Sequence, residues 1–232
     1  MKCLEVYLKH LLICLSDLKN KRMNNNFHWL LDAGHGGLHP ETGEYLTRGK
    51  RSPQFPSSSK YNGEYLYEGV RNRQVLKGLK KLLDENNISY SVISEEWKDI
   101  SLSDRVKKAN NISQETPNCI YLSIHHNAYG KGWNNANGIS TYHFPKSNKG
   151  FRLAGIFQNN IVGEMDWRDR GVKSSNFYVL KYTKMPSVLT ENGFMTNIKE
   201  AEVLMSDEGS YRISLAHFEA IKEVNERGLK FL

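Results

Sequence analysis

The chain of 232 residues is 39% hydrophobic and 25% charged, enough apolar material for one sizeable domain or two small ones, which excludes wholesale disorder. Its 32 Lys and Arg against 25 Asp and Glu leave a formal net charge of +7, which favours polyanionic surroundings: nucleic acid, acidic lipid or an anionic cell wall. No stretch is long and apolar enough to span a membrane. Cys3, Cys14 and Cys119 form no CxxC pair, which points to neither a disulfide framework nor a cysteine zinc site.

In chain order, Leu4, Tyr7, Leu8, Leu11, Leu12, Leu15 and Leu18 recur at helical spacing. Glu5, Lys9 and His10 interrupt this stretch and no small-residue cleavage site follows, which disfavours a secretory signal. Residues 1–22 are therefore read as an appendage, with the domain running over 23–232. Residues 27–33 read as a strand that breaks into "GHGG", and 38–63, "LHPETGEYLTRGKRSPQFPSSSKYNG", as a long loop. A helix is expected over 67–86, a strand over 88–93 and a short helix over 101–110 with Ser101 and Ser103 as candidate caps. Strands follow at 119–124 and 138–144, a helix at 149–163, strands at 176–181 and 187–190, and a last helix at 208–226. This alternation of strands and helices, with no repeat and no linker, is the pattern of one α/β domain.

Three polar residues take the same place relative to their strands: His35 after 27–33, His125 after 119–124 and Glu191 after 187–190. In an open α/β sheet, ligand crevices form at the carboxyl ends of the strands, so parallel neighbours would bring the three together. Glu68, at the start of the helix over 67–86, is the fourth candidate. Two imidazoles and a carboxylate suit a catalytic zinc, with a second glutamate to carry a proton. The structural alternatives are as plain: a histidine on a glycine turn, a glutamate answering a helix dipole, and a solvated Glu191. Only one of His125 and His126 can face the crevice, since successive strand residues point opposite ways. Spacings of 33 and 57 residues between the candidates match no short zinc motif. "GHGG" lacks the order of a phosphate loop. The aromatics Tyr45, Phe55, Tyr61, Tyr65 and Tyr67, interleaved with Arg48, Lys50, Arg51 and Lys60, would suit single-stranded nucleic acid or a sugar–peptide polymer.

Taken together, "LLDAGHGG", "EGVRN" (68–72), "LSIHHNA" (122–128) and "VLTENGFMTN" (188–197) resemble, in that order, the zinc-dependent N-acetylmuramoyl-L-alanine amidases of the Amidase_3 type. The likeness extends to "DRVKKAN" (104–110), "NGISTYHF" (137–144) and "RGVKSSNFYVLKYTKMP" (170–186). It implies a single α/β domain with a central mixed, mostly parallel sheet flanked by helices, and one zinc ion. His35, Glu68 and His125 match the family's metal ligands, Asn72 its asparagine one turn on, and Glu191 its catalytic glutamate. The implied reaction is hydrolysis of the amide between N-acetylmuramic acid and L-alanine in peptidoglycan, an anionic glycan–peptide, with no nucleic-acid partner. Asn127 is a candidate substrate contact. The long loop and the glycine at position 69 depart from the family pattern. A peptidase acting on the stem peptide and a non-catalytic wall-binding module are the alternatives. Without a clear export signal, synthesis in the cytoplasm and phage-type release to the wall are expected.

Overall fold

The computed structural model describes residues 27–94, 97–228 and 230, so the expectations for residues 1–22 lie outside the described residues. Strand β1 (His28–Ala33) alternates its side chains, with Trp29, Leu31 and Ala33 on one face and Leu30 on the other, yet every residue from Trp29 on is buried. A strand buried on both faces belongs inside a sheet covered twice. That sheet has six strands in the order β2-β1-β3-β6-β4-β5, from β2 (Tyr90–Val92), β3 (Cys119–Asn127), β4 (Ile139–His143), β5 (Asp169–Ser174) and β6 (Ser187–Phe194). All pairings are parallel except β4 with β6. The sheet is mixed and mostly parallel, as the family resemblance implies.

Helices α1 (Glu68–Glu85), α3 (Asn148–Met165), α5 (Ile198–Met205) and α6 (Asp207–Arg227) cover one face, where Val75, Leu79, Phe157, Leu204 and Ile221 pack on Trp29, Leu122 and Val188. Helices α2 (Leu102–Glu115) and α4 (Tyr178–Tyr182) cover the other, where Val106, Ala109, Val179 and Leu180 pack on Leu30, Tyr121 and Leu189. Each buried Val, Leu, Ile or Phe among these contributes about 1.5–3 kcal/mol. Local signals start the helices. Ser101 accepts the Asp104 N–H at 3.1 Å before α2, and Ser206 accepts the Gly209 N–H at 2.9 Å before α6.

Three elements differ from the sequence expectation. Residues 176–181, rich in aromatic and β-branched residues, contribute to α4 instead of a strand. Val179 and Leu180 are buried there, and Tyr178 stacks on Tyr182 one turn later at 4.6 Å. Strand β5 carries charges and a central glycine and is half exposed at the sheet edge, so no apolar run marks it. Helix α5 was hidden by its mixed composition. In addition, β3 and β6 run further than read, so His125 and Glu191 stand within strands, still near their carboxyl ends.

The long segment between β1 and α1 forms no regular element, but it is stitched down. Arg51 bridges Tyr67, the Ser52 N–H donates to the Leu66 carbonyl at 2.8 Å, and the Ser59 hydroxyl donates to Glu202 at 2.6 Å. Its aromatics stack on each other: Phe55 is buried against Tyr61 and Trp133, and Tyr67 lies between Tyr45 and Tyr65.

Candidate metal centre

The turn after β1 uses its glycines for space. A Cβ on Gly34 would lie 2.0 Å from Cε1 of His125, and one on Gly36 would lie 2.8 Å from Cβ of Asp99. The left-handed conformation falls instead on His35, at φ 64°, a rare state for a residue with a side chain. Such strain persists where surrounding bonds over-determine it. Here the Gly34 N–H donates to the Ile124 carbonyl at 3.1 Å, Asn72 Nδ2 donates to the Gly34 carbonyl at 3.0 Å, and Arg105 Nη2 donates to the His35 carbonyl at 3.1 Å.

Arg105 is itself buried and paired with Asp32. Its Nε donates to the Ile100 carbonyl at 2.9 Å, while Asp32 Oδ2 accepts the hydroxyls of Tyr121 at 2.8 Å and Ser123 at 2.9 Å. This pair under the turn was missed by sequence reasoning. The available signal was an aspartate inside an apolar strand, which needs a buried partner.

β1, β3 and β6 are adjacent and parallel, so their carboxyl ends meet as expected. His125 and Glu191 are register partners on β3 and β6. Glu68, the first residue of α1, reaches both histidines: Oε2 lies 3.1 Å from His35 Nε2 and Oε1 lies 3.0 Å from His125 Nδ1. Burial alone would raise the Glu68 pKa, but the bonds from His125 and His35 outweigh it and hold the carboxyl well below the usual range. One nitrogen from each ring and one Glu68 oxygen lie within 4.8 Å of one another. The two rings meet edge-on with centroids 5.0 Å apart.

Two imidazole nitrogens and one carboxylate oxygen, all within 4.8 Å of one another, are donors of the kind zinc takes at about 2.0–2.2 Å. The donor set therefore fits a divalent ion such as zinc. The ring-filled space beside Gly34 keeps His125 in place for it. His126 points away, as alternation requires: it is buried and its Nδ1 lies 2.7 Å from Asn72 Oδ1.

Glu191 is half-buried, and its Oε2 is inaccessible and without a hydrogen-bond partner among the described residues. Burial, and then the Glu68 carboxylate, push its pKa well up, while Lys50 opposes them. All four residues line one cleft of about 740 Å³, with Arg48 and Lys50 of the long loop on one side and Phe177 and Tyr178 of the α4 segment also lining it. Asn127 lines it too; its Oδ1 accepts the Ala128 N–H at 2.8 Å, which shapes the chain leaving β3.

A His, Glu, His donor set beside a proton-hungry carboxyl, in a cleft at the carboxyl edge of an α/β sheet, suits a metal-dependent hydrolase. The family model Amidase_3, N-acetylmuramoyl-L-alanine amidase, matches residues 30–223, and the chain belongs to that family. YqiI of Bacillus subtilis (strain 168), an uncharacterised protein, is 33% identical over 181 residues, covering 77% of this chain and 75% of YqiI. The N-acetylmuramoyl-L-alanine amidase CwlM of Bacillus licheniformis is 32% identical over 190 residues, covering 81% of this chain and 64% of CwlM. The crystal structure of an N-acetylmuramoyl-L-alanine amidase from Clostridium difficile 630 is similar with a TM-score of 0.69 and 31% identity, covering 85% of this chain and 95% of that one.

Proposed function

We propose that this chain hydrolyses the amide between N-acetylmuramic acid and L-alanine in bacterial peptidoglycan, with one zinc held by His35, Glu68 and His125 and with Glu191 as the proton carrier. The observation that carries the reading is the meeting of three donor atoms within 4.8 Å beside Glu191, in a chain of this family. When bound, the ion supplies Lewis-acid polarisation of the scissile carbonyl and makes water acidic enough to react near neutral pH.

The residues do the rest. Glu68 sits within reach of both imidazoles and would complete the donor set with them, and Asn72 and Arg105 hold the backbone that presents His35. Glu191 faces the same cleft, and its raised proton affinity suits a group that takes a proton from the attacking water. As the carbonyl carbon gains the water oxygen and the C–N bond breaks, Glu191 returns that proton to the departing alanine nitrogen. The free amine and the lactyl carboxyl are the products. Asn127, which lines the cleft, is a candidate substrate contact on this reading. On this reading the chain works at the cell wall; among the described residues, no helix is long and apolar enough to cross a membrane.

The test is digestion of purified peptidoglycan followed by mass analysis. Intact N-acetylmuramic acid without its peptide, together with new alanine amino termini, is expected. Cleavage only within the stem peptide, or activity that survives both a strong chelator and Glu191→Ala, would overturn the proposal.

A further inference from the structure

We propose that Arg48 and Lys50 form a subsite that recognises free carboxylates of the stem peptide while the muramyl–alanine amide lies at Glu191. This rests on the amidase reading and names the part of the substrate that the long loop contacts.

Both residues line the cleft that holds His35, Glu68 and Glu191. Both are exposed, and the side chain of neither makes a hydrogen bond or ion pair with a described residue. The third strong cation of the cleft, Arg105, is already committed to Asp32 and to the carbonyls of Ala33, His35 and Ile100. Arg48 and Lys50 are thus the cleft's available positive charges, and Lys50 is close enough to favour the ionised form of Glu191.

They also sit on a fixed support. Gly49, at φ 79°, occupies the third position of a turn in which the Lys50 N–H donates to the Thr47 carbonyl at 3.3 Å. The Lys50 carbonyl accepts the N–H of Glu68 itself at 3.0 Å. The Thr47 hydroxyl accepts the Gly36 N–H at 2.7 Å and donates to Asp99 at 2.6 Å. The backbone that carries the two cations is therefore tied to that of Gly36, next to His35, and to that of Glu68, so both project from a support fixed relative to the site. A segment bound at these points acts as a wall of the site. Peptidoglycan stems carry carboxylates a residue or two beyond L-alanine, and a guanidinium and an ammonium lining one cleft are suited to hold one.

Metal-free protein gives the cleanest test, since a carboxylate would otherwise bind the ion. The probes are N-acetylmuramoyl-L-alanyl-D-isoglutamate and its isoglutamine counterpart, which differ by one carboxylate against a carboxamide. Calorimetric titration is expected to show the acid binding about tenfold more tightly at low salt, the preference shrinking as salt rises. Arg48→Met and Lys50→Met should each erode the preference, the double variant should abolish it, and Lys50→Arg should keep it. In the zinc-loaded enzyme the double variant should raise KM for the acid substrate about tenfold and change kcat less. Equal binding of the two probes to the wild type, a preference that survives in the double variant, or a loss of kcat with KM unchanged would overturn the subsite. Discrimination between the probes without any cleavage of the muramyl–alanine bond would sink the amidase reading and leave the subsite standing.

Discussion

Gly34→Ala tests the metal centre without touching a proposed ligand. The backbone at Gly34 is not left-handed, so alanine meets no conformational penalty there; the obstacle is the His125 ring. The added Cβ would stand 2.0 Å from Cε1, 2.3 Å from Nε2 and 2.5 Å from Nδ1. Restoring ordinary carbon contact of about 3.4 Å needs a retreat of about 1.4 Å. Neither side yields easily, because Gly34 is bonded at both its N–H and its carbonyl and His125 is held in β3 with its carbonyl accepting from Asn192 at 2.9 Å. Metal sites tolerate ligand errors of about 0.2 Å, so a shift of this size removes a ligand. Disturbing a supporting partner of a ligand already costs 10–100-fold in metal affinity; the expectation is about 100-fold or more, or at least about 2.7 kcal/mol. Zinc competition against a chromogenic chelator measures it, with circular dichroism to check folding. Gly155→Ala, on α3 with open space around it, is the control and should bind zinc normally. In a His125→Ala background the same change should cost almost nothing further, because the clashing ring is gone. A folded Gly34→Ala protein with unaltered zinc affinity would refute the reasoning.

Glu191→Gln should keep stoichiometric zinc while turnover falls by about 10²–10⁴-fold, read as amino groups released from wall fragments; a variant that loses metal instead would make Glu191 a ligand. Arg105→Met leaves Asp32 buried without its partner and should lower stability by about 3–5 kcal/mol in urea unfolding, with a change under 1 kcal/mol counting against the buried pair. His217 is buried, its Nδ1–H donates to the Ile213 carbonyl at 2.7 Å and its Nε2 accepts the Thr190 hydroxyl at 2.9 Å, and burial lowers its pKa to about 4. The unfolded chain then binds the proton first. Stability held above about pH 6.5 is lost as pH falls towards 4, by about 3 kcal/mol. Unfolding of wild type and His217→Gln at pH 7 and pH 4 isolates this part, and identical losses in the two would remove it.

Much of the architecture was legible because it is written in burial patterns. β1, β3, α1 and α6 carry apolar residues at periods that admit one reading, and the ordered motifs around His35, Glu68, His125 and Glu191 placed the family. Elements without a strong apolar period were not legible. β5 is a charged edge strand, and the 176–181 stretch has strand-like composition but a contact pattern only tertiary packing reveals. At the site, glycines at a turn can serve unusual backbone conformations or the close approach of neighbouring groups, and the sequence does not say which. The structure shows Gly34 and Gly36 there for room and His35 bearing the unusual φ, a distinction that depends on where the His125 ring and Asp99 arrive from far along the chain. Which residues pair in the supports, Arg105 with Asp32 and Asn72 with His126, was not legible for the same reason: each is a contact across more than fifty residues.

The two glutamates show why residue type alone could not assign roles. Both are carboxyls in the same cleft, and burial acts on both in the same direction. Glu68 lies between two imidazoles, whose hydrogen bonds reverse that effect and keep it ionised, which would suit a metal-binding carboxylate. Glu191 has no such bond; it feels the negative charge of Glu68 and retains an unpartnered oxygen, which suits a group that gains and loses a proton. The divergence follows from topology. Glu68 enters at the N-terminus of α1, over the turn that bears His35. Glu191 comes in from β6, beside His125 but beyond reach of its ring bond to Glu68. On the proposed reading, one fold thus makes an anchor of the first and a proton carrier of the second.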